Sequence, residues 1–168
     1  MAHGDFFTFS EYMKKEYDVL TPSMEDYLEM TYRLCCGEGF TRIHELAKAL
    51  NVQSPSATKM VQKLAELKFI NYEKYGMIIL TKEGEKMGQY LLKRHNIVEK
   101  FLNVLGIREN VLEQTEKLEH TISDDTVQYL EDFIDFAELR SDVIEDFKTF
   151  RETKINKKKN KKFKGKHS

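Results

Sequence analysis

Cysteine is nearly absent from the chain: Cys35 and Cys36 are the only two, and they are adjacent. Neighbouring cysteines cannot build an ordinary disulfide framework. Long apolar runs are missing too. None approaches the roughly 20 residues that a membrane-spanning helix needs. The first residues lack a basic start followed by an apolar stretch, so no signal peptide is expected. Together these absences place the chain in the cytoplasm, with no membrane partner. What is present is charge: 33% of residues are Asp, Glu, Lys or Arg and 40% are apolar, a balance typical of a helix-rich globular chain. The length, 168 residues, suits one compact domain or two small ones sharing a core.

The net charge of −1 hides a polarity. From Arg151 to Ser168 there are nine Lys or Arg and one acid, about +8, so the rest of the chain carries about −9. A basic tail on an acidic body suggests a polyanion contact by the tail, set against the plainer reading of a solubilising tail.

Helix signals dominate the pattern. An aromatic arm (Phe6, Phe7, Phe9, Tyr12, Tyr17) occupies residues 1–20. Thr21 can cap a first helix with Pro22 at its first position, and Met24, Tyr27, Leu28 and Leu34 carry an apolar stripe to about Cys35. Thr31 is the stripe's polar member, and Gly37-Glu38-Gly39 breaks the helix. Ile43, Leu46, Ala47 and Leu50 then follow i, i+3, i+4, i+7. After Asn51-Val52-Gln53, Ser54 can cap a second short helix with Pro55 behind it and Ala57, Met60, Val61 and Leu64 inside. Two helices joined by a short turn are the helix-turn-helix pattern. Residues 69–73 and 77–80 read as a hairpin around Lys74-Tyr75-Gly76, which makes a winged helix. Thr81 caps a long helix striped by Gly88, Leu91, Leu92, His95, Val98 and Leu102, and Gly106 ends it. Helices over about 109–122, from Ser123 onward, and over about 141–154 complete the chain.

The expected fold is therefore mainly α: an N-terminal winged helix-turn-helix of three helices and a hairpin, followed by an all-helical dimerisation domain. The expected divisions are an arm over 1–20, a DNA-binding domain over 21–82, a metal-binding and dimerisation domain over 83–140, and a helix with a basic tail over 141–168.

In a helix-turn-helix the second helix enters the major groove. Its outward face here carries Ser54, Ser56, Thr58, Lys59, Gln62 and Lys63. Hydroxyls and amides suit base edges, and lysines suit phosphates. Lys74 and Tyr75 at the wing and Arg42 ahead of the first short helix add backbone contacts. One such unit touches few phosphates, so two copies on two half-sites are expected, joined as a homodimer through the apolar helices after the wing.

The second constellation is Glu116-Lys117-Leu118-Glu119-His120. On a helix, Glu116, Glu119 and His120 share a side at i, i+3, i+4. They lie largely off the stripe Val111, Thr115, Leu118, Ile122, where plain solvated charges also go. Asp26 and Glu29 repeat the i, i+3 spacing on the first helix, and His95 lies on the long one. Carboxylates and imidazoles without thiolate favour Mn²⁺ or Fe²⁺, while Zn²⁺ binds such sets as well by its place in the affinity order. Four converging carboxylates repel one another without cations, so affinity should depend on pH. Nothing beside the cluster offers a nucleophile or general base, and a hydrolase is not expected. The alternative to metal sensing is a winged-helix regulator that responds to an organic ligand or a protein.

These residues carry a resemblance. Thr21-Pro22-Ser23-Met24-Glu25-Asp26-Tyr27-Leu28-Glu29, Ser56 to Leu64, Tyr72-Glu73-Lys74-Tyr75, Arg94-His95 and Glu116 to Ser123 resemble the metal-dependent repressors of the diphtheria toxin repressor family, in its manganese transport regulator branch. The resemblance covers about Thr21 to Ala137. It implies a dimeric repressor of metal-ion homeostasis genes that binds operator DNA when loaded with Mn²⁺, or Fe²⁺, with two ions per subunit. The branch's ligands fall on Asp26, Glu29, His95, Glu116, Glu119 and His120. The iron branch usually has Met at the position of Asp26 and Cys at that of Glu116, and many of its members add a third, SH3-like domain not expected here. The family wing commonly reads Tyr-Arg-Gly, whereas Tyr75 is followed by Gly76-Met77.

Overall fold

The computed structural model describes residues 20–164, and the side chains of Lys74 and of residues 156–164 are outside that description. The aromatic arm, Phe6 to Tyr17, also lies outside it. The chain divides into two compact units, with the boundary after Arg94.

The first unit opens with α1, Pro22–Glu38. Thr21 caps it: the Met24 amide donates to its hydroxyl at 3.4 Å. The helix runs past Cys35 because Gly37 and Glu38 remain helical. It stops at Gly39, whose φ of 79° is left-handed and whose amide returns to the Cys35 carbonyl. A two-residue strand, β1 (Thr41–Arg42), follows, too short for periodicity to announce. It leads into α2, Ile43–Ala49, whose start is held by Glu45: its carboxylate accepts from the Arg42 amide at 2.9 Å and the Thr41 hydroxyl at 3.0 Å. These two bonds, Thr41 first, hold the Glu45 pKa below its ordinary value.

Helix α3 spans Ser54–Glu66. Ser54 is not the expected side-chain cap. The cap position is Gln53, and Ser54 is the first helical residue, with its carbonyl accepting from the Thr58 hydroxyl at 2.9 Å. Strands β2 (Ile70–Tyr72) and β3 (Met77–Leu80) form the hairpin, and β1 adds to its far edge, giving the antiparallel order β1-β3-β2. Thr41 faces Ile78 and Tyr72 faces Ile78 from the other side. The core is one cluster: Tyr27, Leu28, Leu46, Ala57, Val61, Leu64, Ile70, Ile78 and Leu91, joined by Leu20. The expected stripes of all three helices contribute to it.

Helix α4 spans Lys82–Val104 and is started by Thr81, whose hydroxyl accepts from the Gly84 amide at 3.0 Å. Glycines let it lie close to its neighbours in the first unit. A Cβ on Gly84 would stand 1.8 Å from the Phe69 carbonyl oxygen, and one on Gly88 would stand 2.5 Å from Tyr32 Cβ.

The described residues of the second unit form helices joined by short turns, with no strand: the end of α4, then α5 (Val111–Glu119), α6 (Asp124–Leu139) and α7 (Ser141–Lys164). Helix α5 is shorter than the expected 109–122. Asn110 takes a left-handed φ of 53° before it, and His120 already stands at its C-cap. Ser123 caps α6, accepting from the Thr126 amide at 3.3 Å. Ile97, Val127 and Ile134 form the core, with Phe101, Ile122 and Leu130 against it. The Phe101 and Phe133 rings meet edge to face at 5.6 Å. Helix α7 continues well past Lys154, since neither Gly nor Pro occurs before Gly165.

Candidate metal centre and DNA-reading face

Helix α3 buries Ala57, Val61 and Leu64, which turns the opposite side to solvent. Ser54, Ser56, Lys59, Gln62 and Lys63 are exposed, and Thr58 is half-buried with its hydroxyl engaged by the Ser54 carbonyl. Arg42 is half-buried, its guanidinium 5.8 Å from the Phe40 ring centre. At the hairpin tip Tyr75 is 92% exposed, and its φ of 66° is left-handed. Lys74 lies in the same turn.

The candidate ligands divide between the units. Asp26 and Glu29 stand one turn apart on α1 in the first, both half-buried. The Glu29 carboxylate accepts from Arg33 Nε at 2.9 Å. His95, Glu116, Glu119 and His120 belong to the second unit.

There the sequence pattern is partly inverted. The residues of α5 that bury are Thr115 and Glu119, while Leu118, expected on the inner stripe, is 40% exposed. Glu119 is only 2% exposed, an extreme rarely met in an acid without partners. Its partners are imidazoles. His95 Nδ1 lies 3.0 Å from one carboxylate oxygen, and His120 Nε2 lies 3.9 Å from the other. Glu119 is thus drawn inward by a polar contact that hydrophobic periodicity cannot register. Thr115 buries by returning its hydroxyl to the Val111 carbonyl at 2.9 Å.

Glu116, Glu119 and His120 each place one donor atom within 4.8 Å of the others. Ligand bonds of about 2.1 Å put donors on opposite sides of one cation roughly 4.2 Å apart, so this set fits a divalent ion after small side-chain adjustments. The donors are carboxylate and imidazole alone. Both cysteines lie elsewhere: Cys35 is buried with its thiol 3.9 Å from the Ile78 carbonyl, and Cys36 is exposed.

One pair escaped the sequence reading. Arg94 Nη2 donates to Glu25 Oε2 at 2.6 Å, with the side chains 5% and 9% exposed. Each is the immediate neighbour of a candidate ligand, His95 and Asp26. The available signal was the spacing of Leu91, Arg94 and Val98, which puts Arg94 at the edge of the inner stripe of α4.

Comparison with known proteins agrees with this anatomy. Residues 19–78 match the iron dependent repressor N-terminal DNA-binding domain, and residues 81–145 match the iron dependent repressor metal-binding and dimerisation domain. The HTH-type transcriptional regulator MntR of Oceanobacillus iheyensis is 38% identical over 129 residues, covering 76% of this chain and 88% of that relative. The MntR of Bacillus pumilus is 41% identical over 119 residues, covering 70% and 83%. Among solved structures, the manganese regulator SloR superposes with a TM-score of 0.61 at 30% identity, covering 70% of this chain. ScaR with bound Zn²⁺ gives 0.57 at 34% identity, covering 67%. The chain spans just over half the length of those two solved chains, 55% and 54%. These relatives are regulators rather than enzymes. With both domain models matched in order over most of its length, the chain belongs to the iron dependent repressor family and, within it, to the manganese-regulator branch.

Proposed function

We propose that this protein is a metal-dependent repressor that binds operator DNA as a homodimer when loaded with Mn²⁺, with Fe²⁺ as second choice, and so controls genes of metal-ion homeostasis. The DNA-binding domain is assigned to residues 21–82 and the metal-binding and dimerisation domain to 83–140. The observation that carries the reading is Glu119, an almost fully buried carboxylate flanked by two imidazoles. Relatives named as manganese regulators support the choice of metal.

The proposed ligands are Asp26, Glu29, His95, Glu116, Glu119 and His120, holding two ions per subunit. A bound cation supplies the positive charge that offsets repulsion among these carboxylates. Glu116 and Glu119 present oxygen donors from consecutive turns of α5, and His120 follows at the cap. The absence of thiolate from this set suits Mn²⁺ over softer ions. Tyr129, Phe133 and Phe136, at i, i+4, i+7 on α6, remain 75%, 36% and 46% exposed and supply apolar surface for the homodimer. On the DNA side, Ser54, Ser56, Thr58 and Gln62 read the major groove, while Lys59, Lys63, Arg42, Lys74 and Tyr75 meet the backbone.

The six donors must be better placed in the DNA-competent arrangement than in any other, and the difference is the coupling energy. Linkage then requires operator DNA to tighten metal binding by the same factor. The test selects an operator from a random duplex pool with the manganese-loaded protein. Binding is then titrated at controlled free Mn²⁺, Fe²⁺ and Zn²⁺. Manganese affinity that is equal with and without the selected duplex would sink the proposal.

A further inference from the structure

The family match ends at residue 145, and α7 continues to Lys164. The two halves of this helix differ in charge. Its acids, Asp142, Glu145, Asp146 and Glu152, all precede Lys154, and Glu152 is the last acid of the sequence. Two of them have partners: Asp142 accepts from Arg140 at 2.9 and 2.8 Å, and Glu145 from Lys148 at 3.0 Å. No lysine from Lys154 onward has an acid three or four positions away.

Lys154, Lys157, Lys158, Lys161 and Lys162 fall at i, i+3, i+4, i+7, i+8, a single stripe on a helix. Lys154–Lys158, Lys157–Lys161 and Lys158–Lys162 are like-charge i, i+4 pairs, which oppose helix formation. A helix carrying such a stripe is strengthened by a polyanion laid along it. The stripe rises about 12 Å at 1.5 Å per residue, a length over which duplex DNA presents roughly seven phosphate charges. About half of these, roughly three to four, lie on each strand, so five lysines suffice for one strand's share and part of the other's.

We infer that the Lys154–Lys162 stripe of α7 is an accessory DNA-backbone contact lying outside the winged helix. The inference rests on the DNA-binding reading above. The stripe holds lysines and no base-reading side chain, so its contribution is independent of base sequence and steeply salt-dependent.

The experiment compares the full chain with a variant carrying Lys→Gln at these five positions, and with a second variant lacking residues 155–168. Glutamine is also a good helix former, so charge is removed without breaking the helix. Binding to a 30-base-pair mixed-sequence duplex and to the selected operator is followed by anisotropy in Mn²⁺ over a salt series. At about 0.9 per phosphate, loss of the stripe should make the log–log salt slope shallower by about four units per subunit, equally on both duplexes. A change of two units or more supports the inference, and a smaller change overturns it. Tighter DNA binding by the variant also overturns it, placing the lysines on the acidic body instead. So does lysine-dependent binding to anionic vesicles with equal DNA slopes, which assigns the stripe to a membrane surface. A full chain that binds neither duplex overturns the DNA-binding reading itself, an outcome distinct from equal slopes.

Discussion

Replacing Arg94 with methionine should be among the most damaging single changes outside the apolar core. Its guanidinium lies 2.6 Å from the Glu25 carboxylate, with both side chains more than nine-tenths buried. Removing one partner of such a pair strips a buried charge of its hydrogen-bonded counter-ion, typically at a cost of about 3–5 kcal/mol. Folding stability for a domain of this size is about 5–15 kcal/mol, so the loss is a large fraction of the whole. The pair is not an unmixed gain, because Arg94 Nε is buried without a hydrogen-bond partner among the described residues. An unsatisfied donor of that kind costs about 1–3 kcal/mol. The double variant Glu25→Leu/Arg94→Met removes both charges and the orphaned donor. It should therefore recover most of the loss, ending within about 1 kcal/mol of the parent. The assay is urea unfolding followed by circular dichroism in chelator, so that metal binding adds nothing to the apparent stability. If Arg94→Met costs less than about 1 kcal/mol, or if the two single losses simply add, the pair is not coupled as argued.

The glycines of α4 give a second test. Gly84→Ala should destabilise more than Gly88→Ala, which should cost about 1–3 kcal/mol, because the added methyl meets a backbone carbonyl rather than a side chain; thermal melts rank them. The cysteines should separate under iodoacetamide at pH 8. Cys36 is exposed, whereas burial, and then the neighbouring Cys36, push the Cys35 thiol up to about 11. About one in a thousand Cys35 groups is then thiolate, so peptide mass spectrometry should find Cys36 labelled first, and equal rates would refute the burial argument. Mn²⁺ at about 100 times its Kd should stabilise the protein by about 2.7 kcal/mol per ion, about 5.4 kcal/mol for the two proposed or roughly 10–20 °C, and Glu119→Gln should abolish most of the shift. In operator binding, Gln62→Ala should relax base preference at one position, while Lys59→Ala should weaken all duplexes alike; selection on randomised operators distinguishes them.

Much of this molecule is legible in its sequence. Pro22 and Pro55 both stand at helix starts, and the stripes of α1, α2 and α3 are the stripes that bury, because apolar burial is what periodicity measures. The misreadings share a cause in polar chemistry. Glu119 turns inward and Leu118 outward on α5, since His95 and His120 offer the carboxylate partners that a hydropathy pattern does not encode. Nothing local in the sequence singles out Glu25, because its partner Arg94 lies 69 positions away. Strand β1 is two residues long and exists only by pairing with β3. The i, i+3, i+4 spacing grouped Glu116, Glu119 and His120, whose side-chain N and O atoms do lie together, but it could not tell which of them is buried.

The left-handed tyrosine at the wing tip sets two demands on one position. A non-glycine residue at a φ of 66° forgoes about 1–2 kcal/mol relative to an unstrained backbone. Glycine would relieve that strain, and Tyr75 packs little in return, being almost wholly exposed. A library screened for heat resistance alone should therefore drift to glycine at position 75, while one screened for grip on DNA should keep the ring. Residue 75 is thus a place where the two screens can be read against each other, and where their divergence would reveal what the wing is for.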